Sequence, residues 1–183
     1  WEADEINSDM ATISIRNENE IVSWGAAYWQ YFQAIDEVEK YNDNPLKVER
    51  SVFQKVRTTS GEELVEVDQK ALTVGDKVTV RLELSVDRMM EFIHLKDLRA
   101  AGFEPVDVLS GYQWDDGLSY YQSTTDLGTH FFIDYIQQGT YVIEYDAFAV
   151  NAGDFSGGMA TLQCMYAPDF ASHSEGRRIE VER

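Results

Sequence analysis

Three histidines and one cysteine are the residues of this 183-residue chain best suited to metal binding or nucleophilic catalysis. His94, His130 and His173 lie far apart, and none belongs to a short repeat such as His-x-x-x-His, which places two ligands on one helix face. Cys164 falls in an alternating apolar run, which is typical of a buried thiol and not of an activated nucleophile. A single cysteine also excludes an internal disulfide and a zinc site built from several thiolates. We therefore expect no catalytic residue, no metal and no other cofactor, and we assign the histidines structural or surface roles.

Carboxylates are abundant, with 33 Asp and Glu against 15 Lys and Arg, which gives a formal net charge of −18. In so acidic a chain, two neighbouring carboxylates are weak evidence for glycoside hydrolysis. Asp115, Asp116 and Asp126 could hold calcium, but they lack the regular ligand spacing of an EF-hand, so a solvated turn is expected. The negative charge repels phosphate backbones and argues against nucleic acid as a partner.

Aromatic residues cluster in the polar window 112–121. We interpret this window as part of a loop, 112–126, in which Tyr112, Trp114 and Tyr120 are candidate exposed contacts. Exposed aromatic rings on a loop can stack on sugars or pack against a partner domain. The alternative is that they close the open end of a β-sandwich.

The elements that must position these residues show strand periodicity. Apolar and polar residues alternate over 78–86, which predicts an antiparallel strand with one buried face. Shorter or similar patterns predict further strands at 91–98, 129–136, 139–149, 160–166 and 178–181. Glycines separate these segments at the spacing of an all-β antiparallel β-sandwich, for which we expect seven to nine strands over residues 46–183. A short helical turn is predicted within 34–41.

The first part of the chain differs from the rest. Residues 11–16 and 21–32 predict a β-hairpin from an adjoining domain, with aromatic residues on both faces of the longer strand. Turn residues at 41–45 predict a linker. We therefore divide the chain into a terminal hairpin and linker of a preceding domain, residues 1–44, and a sandwich domain, residues 45–183.

Targeting and membrane signals are absent from the sequence. The chain opens at Trp1 without the basic and apolar regions of a signal peptide, and no apolar run approaches the roughly 20 residues of a membrane span. We expect a fragment of a longer protein that does not itself insert into a membrane.

Five segments of the chain resemble the C-terminal MG10 domain of bacterial alpha-2-macroglobulins, of a Bacteroidetes-like kind. They are Arg88-Met-Met-Glu-Phe-Ile, Ala101-Gly-Phe-Glu-Pro-Val106, Gly139-Thr-Tyr-Val-Ile-Glu-Tyr, Gly153-Asp-Phe and Cys164-Met-Tyr-Ala-Pro-Asp-Phe170. The resemblance implies a macroglobulin-like β-sandwich that is not an enzyme, within a large protease inhibitor. It also implies that residues 11–35 are the returning hairpin of a CUB-like domain and that residues 46–53 are the opening strand of MG10.

Met165 and Tyr166 are the site residues that the resemblance implies. In thioester-bearing relatives, a Met-Tyr pair at this place packs over the thioester of a neighbouring domain and shields it from water. The thioester motif Cys-x-Glu-Gln is absent here, because Cys164 is followed by Met-Tyr-Ala. The implied partners are CUB-like and thioester-type domains of the same polypeptide, with target proteases bound through the full-length protein. The implied location is the periplasm or the cell surface.

Two other functions remain open from the residues. A carbohydrate-binding sandwich would use Tyr112, Trp114 and Tyr120, and an Ig-like adhesion module would act as a spacer or contact domain. Loss of glycan binding in Trp114→Ala would favour the carbohydrate-binding function.

Overall fold

The computed structural model describes residues 2, 4–18, 20–67, 71–115 and 117–183. These fall into two compact units, Trp1–Phe32 and Gln33–Arg183. The second unit is almost entirely β-structure, and all but one of its strand pairs are antiparallel. This confirms the predicted all-β antiparallel fold.

The first unit has little regular structure. A 3₁₀ turn at Ser8–Ala11 begins after Asn7, whose side-chain oxygen accepts the Asp9 N–H at 3.0 Å. The hairpin expected from 11–16 and 21–32 does not form, since these residues carry no strand. A two-stranded ribbon is marginal unless further strands or a helix cover it, and the unit supplies none among its described residues. The large side chains left exposed include Trp24, Tyr28, Trp29, Tyr31 and Phe32.

Fourteen strands are present among the described residues of the second unit. They are β1 (Leu46–Thr58), β2 (Gly61–Glu66), β3 (Leu72–Thr73), β4 (Lys77–Val86), β5 (Met90–Leu98), β6 (Phe103–Pro105), β7 (Gly111–Asp115), β8 (Leu118–Thr124), β9 (Gly128–Ile136), β10 (Gly139–Ala149), β11 (Gly153–Ser156), β12 (Ala160–Cys164), β13 (Ala171–His173) and β14 (Arg178–Glu182). The number exceeds the expected seven to nine because short polar strands, such as β2, β7 and β13, are not marked by apolar alternation.

A five-stranded sheet runs in the order β2-β1-β4-β10-β6. Its centre is β4, which pairs along its full length with β10 and along most of it with β1. The alternation predicted for this strand is confirmed: Val78, Val80, Leu82, Leu84 and Val86 are all buried. One strand with a single apolar face thus supplies five core positions.

A six-stranded antiparallel sheet runs in the order β13-β12-β5-β9-β8-β7. In it Ile93 lies opposite Cys164 on one side and opposite Ile133 on the other, so the buried positions of three strands coincide. A third sheet, β11-β14-β3, contains the parallel pair β14–β3. Because β5 pairs directly with β9, side chains of these two strands that are 36 residues apart in sequence become neighbours.

A buried polar cluster joins the two larger sheets. The Arg50 Nε donates to Asp97 Oδ1 at 2.7 Å, and the Tyr145 hydroxyl donates to Asp97 Oδ2. Arg50 and Tyr145 belong to the five-stranded sheet and Asp97 to the six-stranded sheet. Burial by itself lowers the pKa of Arg50, but the adjacent Asp97 outweighs it and holds that pKa above its ordinary value. The guanidinium is therefore charged and paired in the core.

The predicted linker is anchored to the second unit. Tyr41 and His173 exchange two backbone hydrogen bonds, of 3.0 and 2.9 Å. The Asn42 side chain binds both the N–H and the carbonyl of Val48, each at 3.1 Å. Residues 41–45 are therefore held against β13 and β1 by hydrogen bonds. The helical turn predicted in this region is confirmed as a 3₁₀ turn at Ile35–Glu37. The assignment of residues 1–44 to a preceding domain stays a prediction.

Candidate functional site

The residues singled out by resemblance, Met165 and Tyr166, lie in an exposed turn at the end of β12. Their side chains are 57% and 81% exposed. The turn is closed below them by backbone hydrogen bonds from Ala167 to the Cys164 carbonyl, 3.3 Å, and from Cys164 to the Phe170 carbonyl, 3.0 Å. A fixed backbone thus presents two large apolar side chains to solvent.

Phe92 supports this turn from the adjacent strand. The Met165 N–H donates to the Phe92 carbonyl at 2.9 Å, and the Phe92 and Tyr166 rings meet edge to face with centroids 5.0 Å apart. Phe92 has a φ of 56°, the one positive value among the described non-glycine residues. The sequence gives no sign of this role, because it depends on strand register and on a backbone angle. We refer to Phe92, Met165 and Tyr166 as the Met-Tyr corner.

The Met-Tyr corner is suited to packing against another apolar surface. Tyr has an apolar ring with a polar tip, and Met adapts to irregular surfaces. Cys164 directly before the corner is only 8% exposed, and its Sγ lies 3.4 Å from the Glu91 carbonyl. A thiol so placed lacks the partial exposure of a reactive cysteine.

The aromatic window forms a β-hairpin and not the loop that the sequence analysis expects. Tyr112 and Trp114 lie on β7 and are each 75% exposed. Tyr120 on β8 is 5% exposed and packs edge to face on Phe131, with centroids 5.6 Å apart. Alternation along β8 turns Tyr120 into the core together with Leu118. The prediction of Tyr120 as an exposed contact is therefore wrong.

A groove of about 550 Å³ lies beside this hairpin. Its lining includes Tyr112, Trp114, Phe132, Asp134, Tyr135 and Gln137. It combines aromatic rings with one carboxylate and one amide, a composition suited to neutral polar ligands or to a partner side chain.

The acidic residues do not assemble a calcium site in the described part of the chain. Among those residues no group of three or more His, Cys, Asp or Glu side chains converges. Gly117, with a φ of 77°, forms the turn between β7 and β8, and the Asp126 carbonyl accepts from Arg99 at 3.3 Å. Asp116, which the sequence analysis also considers as a calcium ligand, lies outside the described residues.

Two of the three histidines come together. His94 on β5 and His130 on β9 are joined by a contact of 3.0 Å between His94 Nε2 and His130 Nδ1. Burial lowers the pKa of both imidazoles, so both are neutral at physiological pH. His173 is separate, with its Nδ1 3.1 Å from the Ser174 carbonyl. Spacing in the sequence cannot reveal the pair, because only the register of β5 on β9 creates it.

Comparison with models of protein families shows which family this chain belongs to. Residues 46–169 match the model of the bacterial alpha-2-macroglobulin MG10 domain. The chain belongs to this family. The matched MG10 residues include the whole Met-Tyr corner, the β7–β8 hairpin and the histidine pair.

Solved structures agree with the MG10 fold. An Escherichia coli alpha-2-macroglobulin activated by porcine elastase matches with a TM-score of 0.64 at 20% identity, over 80% of this chain and 14% of that one. Salmonella alpha-2-macroglobulin reacted with methylamine matches with a TM-score of 0.62 at 20% identity, over 80% and 10%. The native E. coli protein from domain MG7 to the C-terminus gives 0.62 at 18%, over 79% and 24%. These TM-scores show a shared fold.

A curated relative from Dictyostelium discoideum, circularly permutated Ras protein 2, is 24% identical over 154 residues. The match covers 82% of this chain and 4% of that protein. The MG10 chain thus spans a small part of each larger protein it resembles. Among the described residues, no helix is long and apolar enough to cross a membrane.

Proposed function

We propose that this MG10 domain is a non-catalytic part of a large, Bacteroidetes-like alpha-2-macroglobulin protease inhibitor of the periplasm or cell surface. Its role is to pack against other domains of the same polypeptide, and proteases are bound by the full-length protein. The observation that carries the proposal is the Met-Tyr corner, where Tyr166 is 81% exposed yet fixed in place.

The energetics of the corner support a docking role. A bulky residue at positive φ costs of order 1–3 kcal/mol, and such conformations persist where the surrounding structure enforces them. Phe92 bears this cost while its carbonyl holds Met165 and its ring holds Tyr166. The isolated domain gains little from a ring that remains in solvent. A neighbouring domain that covers Tyr166 would recover the apolar burial.

A thioester, if the parent protein has one, would lie in the neighbouring domain, and we propose that Met165 and Tyr166 shield it from water. We also propose that residues 1–44 complete a CUB-like domain. The exposed aromatic side chains between residues 24 and 32 support this, because a covering sheet would bury them.

The full-length parent protein tests the docking role through Tyr166→Ala. We expect faster limited proteolysis between domains than in the wild type and, where a thioester exists, faster reaction with methylamine. Leu127→Ala is the matched control, because Leu127 is a large apolar residue of comparable exposure, 77%, outside both the corner and the groove beside β7. A Tyr166→Ala protein as resistant as both the wild type and the control would refute the docking role.

Carbohydrate binding is the second candidate function, and the groove beside β7 favours it. Tyr112 and Trp114 are both exposed at this groove, and Asp134 and Gln137 could bond sugar hydroxyls. Screening the chain against immobilised neutral glycans tests it. Binding that Trp114→Ala abolishes and Tyr166→Ala leaves intact would support this function, and an absence of glycan binding would dismiss it.

A further inference from the structure

The groove beside β7 lies in a part of the chain that has no basic side chains. The sequence contains no lysine or arginine between Arg99 and Arg177, whereas it contains eleven aspartates and glutamates there. This stretch includes β7, β8 and β9, which supply most of the described lining of the groove. Asp134 is a lining carboxylate, and none of the described lining residues is Lys, Arg or His. The groove is therefore acidic and has no cation among its described residues.

Two cations come from the neighbouring β5 region, but neither lines the groove. Arg88, just before β5, is paired with Asp87, and its Nε lies 2.8 Å from the carboxylate oxygen. Lys96 lies on β5 opposite His130 of β9. The carboxylate of the groove is thus left for a cation supplied from outside.

Aromatic rings line the same groove. Tyr112 and Trp114 are each 75% exposed, and Phe132 and Tyr135 are 38% and 45% exposed. Tyr112 is supported edge to face by Tyr121, with ring centroids 5.2 Å apart. The face of an aromatic ring attracts a cation, and a carboxylate adds charge-assisted hydrogen bonds. A guanidinium can use both at once, because it is planar and has five N–H donors.

The same domain joins a guanidinium to a ring and a carboxylate on its other large sheet. There the Arg81 guanidinium carbon lies 4.9 Å from the centre of the Phe53 ring. The Arg81 Nε donates to Glu144 Oε1 at 2.6 Å. The groove beside β7 offers the rings and the carboxylate without the arginine. We propose that it binds the arginine side chain of an extended segment from a partner protein.

The open edge of the sheet favours a peptide segment over a small cation. β7 is the last strand of the six-stranded sheet, so its outer backbone groups have no strand partner among the described residues. Such an edge can accept an added strand. Val108 and Leu109, just before β7, are 63% and 76% exposed and extend the apolar surface along the chain. The opposite edge strand, β13, is already bonded to Tyr41.

Titration of the 183-residue chain with a short peptide tests the proposal. The probe is acetyl-Leu-Arg-Leu-Arg-Leu-amide, and its control has citrulline in place of each arginine, which keeps the shape and removes the charge. Calorimetry at low salt measures the affinities, and NMR of the Trp114 indole N–H locates the bound peptide. We expect the citrulline peptide to bind at least about fivefold more weakly.

Substitutions in the groove separate a specific site from general attraction to an acidic chain. Trp114→Ala and Asp134→Asn should each weaken binding of the arginine peptide by at least about threefold, whereas Trp114→Phe keeps a ring and should retain most of it. Asp126→Asn is the matched control, because it removes the same charge outside the groove. Both Asp126→Asn and Tyr166→Ala should bind as the wild type does, and the latter separates this surface from the Met-Tyr corner.

Several results would overturn the proposal. It is refuted if the citrulline peptide binds as tightly as the arginine peptide, if Asp126→Asn weakens binding as much as Asp134→Asn, or if the Trp114 indole signal does not move. Maltotriose that shifts this signal while the arginine peptide does not would assign the groove to neutral sugars. Circular dichroism checks the fold of each variant, and Trp114→Phe with Asp134→Asn decides the outcome if Trp114→Ala does not fold.

Discussion

Phe92 lies on β5 and Tyr166 in the turn after β12, and their rings meet at 82° with centroids 5.0 Å apart. The same two chain segments share the hydrogen bond from the Met165 N–H to the Phe92 carbonyl. Backbone and side chains therefore fix one another, and a change at Phe92 should alter how Tyr166 is presented.

Replacing Tyr166 with Ala should scarcely change the stability of the isolated chain. The side chain is 81% exposed, so the loss is the edge-to-face contact, worth about 1 kcal/mol or less. Tyr120→Ala is the buried counterpart and should cost about 3–5 kcal/mol. Urea denaturation of both variants makes the comparison. Similar losses for the two would mean that Tyr166 caps its own core.

The Phe92→Gly protein should be more stable than the Phe92→Ala protein, which reverses the usual order of these residues in a strand. At a φ of 56° an alanine keeps a steric cost of roughly 1–2 kcal/mol that glycine avoids. We expect Phe92→Gly to exceed Phe92→Ala by about 1 kcal/mol in unfolding free energy. The same two substitutions at Phe132, a β9 residue without positive φ, should show the ordinary order. If alanine proves better at both positions, the strain at Phe92 is not real.

The sequence revealed the strands that bury one regular face and missed those that do not. Alternation over 78–86 predicts β4 because every second side chain enters the core. The sequence analysis predicts a loop in place of the β7–β8 hairpin because β7 has no buried residue and only Leu118, Tyr120 and Gln122 are buried on β8. Residues 21–32 show the opposite failure. They have strand-forming composition, but sheet structure also needs partner strands.

The site was recoverable only in part for a similar reason. Met165 and Tyr166 can be located from a motif that is contiguous in the chain. Phe92 and the pairing of His94 with His130 depend on which residues of β12, β5 and β9 face one another. Register is a property of the assembled sheet, so no local spacing encodes these contacts.

The buried pair Arg50 and Asp97 should be strongly coupled. Asp97→Leu leaves a buried guanidinium without its carboxylate, and Arg50→Met leaves the carboxylate without its cation, so each should cost about 3–5 kcal/mol. The double variant replaces both with apolar groups and should cost clearly less than the sum. Denaturant unfolding of the wild type, the two single variants and the double variant completes this double-mutant cycle. Additive losses would show that the pair acts as two independent residues.

The free energy of unfolding should decrease as the pH is lowered below about 6.5, because of His94 and His130. Burial lowers the folded-state pKa of both, so the unfolded chain takes up protons first as the pH falls. The loss begins near the unfolded value of about 6.5 and ends once the pH is below the lowered folded values. Unfolding free energies from pH 8 to about pH 5 should show this decline.

The double variant His94→Gln/His130→Gln should flatten that part of the pH profile, while His173→Gln should retain it. A profile that is unchanged in the double variant would assign the decline to other groups.

The two backbone hydrogen bonds between Tyr41 and His173 attach the segment before residue 41 to the β-sandwich. Residue 41 is bonded to β13, β13 is paired with β12, and β12 ends at the Met-Tyr corner. Displacing the segment before residue 41 would therefore require breaking the two backbone hydrogen bonds to His173 or moving β13 with it. Because β13 pairs with β12, such a movement would also be felt at the strand that ends beside Tyr166.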